Sequence, residues 1–278
     1  MAAATDSWFK TLDGCDIAYT LHPAPQPEAP RVALVHSLAL DRSIWNGVVA
    51  QLAGSTHLLT YDCRGHGQSS RIAMKYTAEL FARDLAELLH HVGWPTATVG
   101  GCSMGGCVSQ AFAAKYPERT QGACLIDTTA WYGPEAPKQW RERAATARAK
   151  GMGALIDFQV TRWFNDDFRA RNAQTIAQLT KVFLANDVSC YEATCAMLGN
   201  DDLRPLLHSI VAPTAIVVGE EDYATPVAMA EALHKAIPQS SLKVISTGRH
   251  ITPVECPEQI AGAITGLLGV QAKAKRSL

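Results

Sequence analysis

Short, nearly continuous apolar runs punctuate this chain: Arg31 to Val35, His57 to Tyr61, Thr96 to Gly100, Cys124 to Ile126, Thr214 to Gly219 and Leu242 to Ile245. Runs of this length without polar alternation predict strands buried on both faces. Segments of helical period separate them: Ile44 to Leu52, Thr77 to Val92, Met104 to Lys115, Pro226 to Ala236 and Pro257 to Leu268. In Thr77 to Val92, Leu80, Asp84, Leu85, Leu88 and Leu89 sort into an apolar and a polar face. The alternation predicts a mostly parallel sheet covered on both faces. Upstream, Trp8 to Leu12 and Asp16 to Leu21 flank Asp13-Gly14 and predict a hairpin, followed by a proline-rich connector from Pro23 to Pro30. From Trp131 to Leu203 the strands stop, and a stretch rich in Ala, Arg and Gln keeps only helical period. That pattern predicts a core of residues 1–130 and 204–278 interrupted by a helical cap over 131–203. Residues 270–278 are expected to be a frayed tail.

Composition narrows the function classes. A net charge of -1 gives no basic field for nucleic acid or an anionic membrane. The start, Met1 to Trp8, lacks the cationic end and apolar core of an export signal, and no apolar run approaches a membrane span. The eight cysteines form no C-x-x-C pair and no zinc spacing. The expectation is a cytoplasmic protein with reduced thiols, needing no metal or organic cofactor, whose partner is a small molecule.

The chemistry concentrates at Gly100-Gly101-Cys102-Ser103-Met104-Gly105-Gly106, directly after a predicted strand and opening a predicted helix. A turn this tight, with glycines two residues either side, pushes the Ser103 hydroxyl into the open. Cys102 points away from the apex and is expected to pack. A serine needs a base, and the base needs a carboxylate that fixes its tautomer. His250, in the loop past the strand ending at Ile245, is placed to serve, whereas His234 lies on a helix and is read as solvated. Asp222 follows the preceding strand and is the expected acid. Asp127 is the runner-up and is expected to cap or hydrogen-bond the start of the insertion, and Glu220 and Glu221 to take a solvent-facing or gating position. The two N–H donors of an oxyanion hole fall to Met104, at the helix N-terminus, and to Leu38, in the loop after Val35. His36 is expected to order that loop.

With these pieces the chain resembles the α/β-hydrolase superfamily over nearly its whole length. The resemblance is carried by His36-Ser37-Leu38, Tyr61 to Ser69, the elbow, Gly219 to Pro226 and Gly248-Arg249-His250. It implies an α/β-hydrolase fold with a mostly parallel central sheet, helices on both faces and a helical cap insertion. Within the superfamily it is most similar to 3-oxoadipate enol-lactonases, through His36 to Trp45, Arg162-Trp163-Phe164, Tyr191 to Cys195, Asp202-Leu203-Arg204 and His250 to Glu255. That similarity implies a serine hydrolase opening a small lactone through an acyl-enzyme. A general carboxylesterase, a C–C bond hydrolase and a non-catalytic ligand receptor are the alternatives. Trp131, Trp163 and Phe164 are expected to wall the site from the cap, and Arg162 to meet a substrate carboxylate. Two positions depart from the family pattern: Ala39 where glycine is common, and Trp131 where a basic residue is common.

Overall fold

The computed structural model describes residues 4–276. Among these residues eight strands form one sheet: β1 (Thr5–Lys10), β2 (Asp16–His22), β3 (Arg31–Val35), β4 (His57–Tyr61), β5 (Ala97–Cys102), β6 (Thr120–Ile126), β7 (Thr214–Gly219) and β8 (Ser240–Ile245). Their order across the sheet is β1-β2-β4-β3-β5-β6-β7-β8. The β1–β2 hairpin and the β2–β4 pair are antiparallel, and every pair beyond them is parallel. Burial follows position in the sheet. Every residue of β5 is buried at the centre, whereas edge strand β1 alternates and leaves Trp8 exposed.

The helices are α1 (Asn46–Leu52), α2 (Ala78–His91), α3 (Met104–Lys115), α4 (Ala136–Lys150), α5 (Ile156–Trp163), α6 (Asp166–Arg171), α7 (Ala173–Leu184), α8 (Val188–Asn200), α9 (Val227–Ala236), α10 (Thr252–Glu255) and α11 (Pro257–Arg276). Helix α1 packs on α11, α2 on α3, and α9 on β7 and β8. Helix α2 begins at Thr77, whose side chain accepts the Leu80 N–H at 3.0 Å, and buries Phe81, Leu85, Leu88 and Leu89. Asp84 lies on that same buried face. It is paired by Arg64, with Nε–Oδ2 at 2.6 Å and Nη2–Oδ1 at 2.5 Å, so the polar group is neutralised where it is desolvated. Helix α3 is buried from Met104 to Ala113, its polar Ser109 and Gln110 included.

Helices α4 to α8 fill the interval between β6 and β7, without a strand among the described residues. Asn165 caps α6 through the Phe168 N–H at 2.8 Å, and Asp187 caps α8 through the Cys190 N–H at 2.9 Å. Helix α4 packs along α8.

Several boundaries differ from the sequence reading. Strand β1 starts and ends earlier than expected because the Thr11 to Cys15 turn consumes Leu12: Thr11 N–H donates to the Cys15 carbonyl at 2.9 Å. Strand β5 runs two residues further, up to the elbow itself. The expected tail of 270–278 is instead helix α11 as far as Arg276, with 277 and 278 outside the described residues. Met1 to Ala3 of the start also lie outside them.

Candidate active site

Ser103 sits at the end of β5 with φ 56° and ψ -115°, a conformation that favours glycine. The turn is tight enough that a Cβ at Gly101 would overlap the Gly105 carbonyl group. One at Gly105 would overlap the Val35 and His36 carbonyls. The strained serine is held from both sides. Its N–H donates to the Ile126 carbonyl at 2.9 Å, and its own carbonyl accepts from the Gly106 N–H at 2.9 Å and the Thr128 hydroxyl at 2.7 Å. Cys102, wholly buried, turns its thiol toward Asp127 and the His250 carbonyl, away from the apex.

The structure brings together the three residues that the sequence holds far apart. His250 Nε2 is 2.9 Å from Ser103 Oγ, and His250 Nδ1 is 2.8 Å from Asp222 Oδ2. Asp222 is fixed from behind. Its Oδ1 accepts the Ala224 and Thr225 N–H groups at 2.7 and 2.9 Å, and its Oδ2 accepts the Thr225 hydroxyl at 2.8 Å. Burial pushes the Asp222 carboxyl up, but the His250 imidazole and the Thr225 donors outweigh it and hold the group below the usual carboxylate range. An ionised Asp222 accepts Nδ1–H, which leaves the Nε2 lone pair facing the serine hydroxyl. This arrangement can take a proton from Ser103 and return it to a leaving group.

Asp127 does not cap the start of the insertion. Its φ of 47° turns the side chain across the ends of the strands. There Oδ1 accepts the Gly219 N–H at 3.1 Å, and Oδ2 accepts the Thr252 N–H and hydroxyl at 3.0 and 2.7 Å. It thus ties the end of β7 to the segment just after His250. Burial and the nearby Asp222 charge push its carboxyl well above the ordinary range. His36 is buried and links two loops, with Nδ1 2.7 Å from the Ser37 carbonyl and Nε2 accepting the Cys63 N–H at 2.9 Å. His234 is exposed and contacts Ser240. Glu220 turns back onto Ser246 and Thr247, and Glu221 pairs with Arg249 at 3.3 Å.

Leu38 and Met104 flank Ser103, and neither N–H has an acceptor among the described residues. Ser37 to Leu40 form a turn closed by the Leu40 N–H donating to the Ser37 carbonyl at 3.2 Å, with Ala39 at φ 57°. That is the position of such a turn that glycine fills without strain. Ala39→Gly is therefore expected to stabilise the protein by about 1 kcal/mol. Urea denaturation midpoints check this, and an unchanged or lowered midpoint would mean that the turn carries no strain.

A cavity of about 400 Å³ lies over the serine, lined by Ser37, Leu38, Ser103 and His250 below and by residues of α4 and α5 above. Of the expected walls, Trp163 and Arg162 line it. Trp131 does not: its ring lies beneath the Arg204 guanidinium, 3.6 Å from the ring centroid. Phe164 is wholly buried and stacks on Phe168 at 4.8 Å. The sequence reading missed Tyr132, Trp140, Arg143, Phe158 and Gln159, which all line the cavity. Arg143 lies on α4 between Arg141 and Arg148, both of them exposed. The signal that separates it is Trp140 three residues earlier on the same helix face, whose ring lies 4.9 Å from the guanidinium. Arg143 Nε donates to the buried Tyr191 hydroxyl at 2.7 Å, and Arg162 Nη2 donates to the Tyr223 carbonyl at 2.7 Å. Both partners are neutral, and no carboxylate pairs with either guanidinium among the described residues. Burial and the nearby Arg143 charge push Arg162 below its ordinary pKa.

The helical layer is stapled to the histidine loop. Arg249 Nη1 donates to the Thr161 and Phe164 carbonyls at 2.8 and 3.0 Å, and the Ile251 N–H donates to the Trp163 carbonyl at 3.1 Å. Asn165 bonds Glu255 and the Thr247 carbonyl at 2.8 and 3.0 Å.

Residues 30–257 match the family model of the alpha/beta hydrolase fold. The chain belongs to the α/β-hydrolase family. The hydrolase is 30% identical to 3-oxoadipate enol-lactonase 2 of Acinetobacter baylyi over 93% of its own length and 96% of that protein. Among solved structures it resembles the enol-lactonase from Burkholderia xenovorans LB400, with a TM-score of 0.90 at 30% identity over 95% of this chain and 100% of that one. It also resembles a thermophilic esterase from Thermogutta terrifontis in a malate-bound structure, with a TM-score of 0.87 at 30% identity over 97% and 99%. Among the hydrolase's described residues no helix is long and apolar enough to cross a membrane. None of their His, Cys, Asp and Glu side chains cluster in threes that could hold a metal ion.

Proposed function

We propose that this hydrolase opens a small lactone or ester that carries a carboxylate, through an acyl-enzyme on Ser103. The observation that carries the reading is the unbroken chain Ser103–His250–Asp222, at 2.9 and 2.8 Å, on the floor of a cavity with two guanidiniums in its wall. His250 takes the Ser103 proton as Oγ attacks the carbonyl carbon. The Leu38 and Met104 N–H groups hold the oxyanion, and collapse expels the ring oxygen, which takes the proton from His250. In a lactone the expelled group stays tethered, and an enol so released can ketonise. Water activated by His250 then frees the acid. Residues 131–203 serve as a cap over a core of 1–130 and 204–278, supplying the upper wall. A cytoplasmic setting is supported by eight free cysteines, seven of them buried.

The carboxylate is supported by Arg143 and Arg162, which face a cavity whose single acidic lining residue is Glu142. The similar enol-lactonases, and the esterase solved with malate, favour the same class of small acid. Arg143→Gln and Arg162→Gln are each expected to raise KM for a carboxylated lactone by about 10- to 100-fold, the worth of one hydrogen bond to a charged group. Turnover of a neutral lactone of the same ring size should change little. A matched panel of carboxylated and neutral lactones reads this directly, and equal losses on both would remove the carboxylate from the proposal. An open-chain carboxylated ester is the second reading, supported by the likeness to the thermophilic esterase, and belongs in the same panel.

A further inference from the structure

Asn186 lies in the connection between α7 and α8 and does not line the cavity. Its Nδ2 donates to three carbonyls: Ala39 at 2.8 Å, and Val182 and Phe183 at 3.0 Å each. Three acceptors around one end of the amide fix that end as the nitrogen. The contacts to Val182 and Phe183 anchor the amide at the end of α7. The third reaches the turn that carries Leu38.

The Ala39 carbonyl belongs to the same peptide group as the Leu40 N–H, which donates to the Ser37 carbonyl at 3.2 Å. The Ser37 carbonyl in turn shares its peptide group with the Leu38 N–H. Both peptides are trans, so each N–H points opposite to its own carbonyl. A line of donors therefore runs from Asn186 through two peptide groups to the Leu38 N–H, which has no acceptor among the described residues. Each link accepts at one end and donates at the other, and such chains strengthen and align their members. The turn needs that hold. Ala39 at φ 57° is strained, and such strain persists only where the surroundings over-determine the backbone. His36 Nδ1, 2.7 Å from the Ser37 carbonyl, clamps the Ser37–Leu38 peptide from the core. The Ala39 carbonyl has the Asn186 amide as its one partner among the described residues. We infer that Asn186 is a positioning residue: it holds the Ala39–Leu40 peptide, and through it aims the Leu38 N–H at the oxyanion that forms on attack by Ser103. The inference rests on the Ser103 mechanism proposed above.

Asn186→Leu and Asn186→Asp both remove the donor at nearly the same volume, so the test survives if one of them fails to fold. With p-nitrophenyl acetate, kcat should fall by about 5- to 10-fold, the worth of one hydrogen bond, while KM stays within about twofold. Trifluoroacetone reads the oxyanion directly. Ser103 Oγ adds to its carbonyl carbon, the Oγ proton passes to His250, and the carbonyl electron pair moves onto the oxygen. Its Ki should rise by the factor by which kcat falls. Asn172→Ala is the control, because that amide also closes a helix end, on the Phe168 carbonyl at 2.9 Å, without reaching the turn. It should leave kcat and Ki unchanged. An unchanged kcat in a folded Asn186 variant, a loss carried by KM, an unmoved Ki or an equal loss in Asn172→Ala would overturn the role of Asn186. Failure of the wild type to form a hemiketal with trifluoroacetone, read by fluorine NMR, would instead overturn the nucleophile, and this inference with it.

Discussion

Ser103→Ala should lower ester and lactone turnover on the order of 10⁵- to 10⁶-fold, the loss seen when a serine hydrolase loses its nucleophile. The oxyanion donors and the cavity would remain, so substrate binding should survive. Stability should barely move. Alanine at φ 56° bears the same backbone strain as serine, and the change removes one hydrogen bond to His250, worth about 1 kcal/mol. The measurements are turnover on activated esters and lactones, fluorophosphonate labelling and a thermal melt. A folded variant that still turns over the panel at a tenth of the wild-type rate would place the nucleophile elsewhere.

Asp222→Asn should cost about 10⁴-fold in kcat, for a reason legible in its contacts. The Oδ1 position accepts two backbone N–H groups, from Ala224 and Thr225, so an asparagine must keep its oxygen there. Its NH₂ then occupies the Oδ2 position opposite His250 Nδ1. The amide donates, so Nδ1 must accept, Nε2 carries the proton, and the lone pair that should receive the serine proton is gone. Asp127 offers no substitute, because its oxygens are committed to Gly219 and Thr252. Kinetics of the variant against wild type at saturating ester check this. A loss below tenfold would mean that another group sets the tautomer.

The sheet was readable because its central strands are buried on both faces and so leave continuous apolar runs. The β1–β2 hairpin was readable too, but the ends of β1 and of α11 were not, since strand and helix ends are set by turns and packing rather than by composition. Ser103, Asp222 and His250 were accessible because each follows a strand, and strand ends share one rim of a parallel sheet. The cavity wall was harder. Whether Trp131 or Tyr132 lines the cavity depends on the path of the segment leaving β6, which no periodicity encodes. Arg143 reads like its solvated neighbours until α4 is laid against α8, where Tyr191 meets it. Asp127 was placed on the right rim but given the wrong neighbours, because its left-handed backbone reverses the direction of the side chain.

Five hydrogen bonds tie the α5–α6 junction to the loop around the imidazole, two of them from Arg249 and one from Ile251, the residues either side of His250. The imidazole loop and the α5–α6 corner above it are therefore joined as one hydrogen-bonded unit. On the proposed mechanism, displacing that corner would drag the proton acceptor off the hydroxyl and switch the enzyme off.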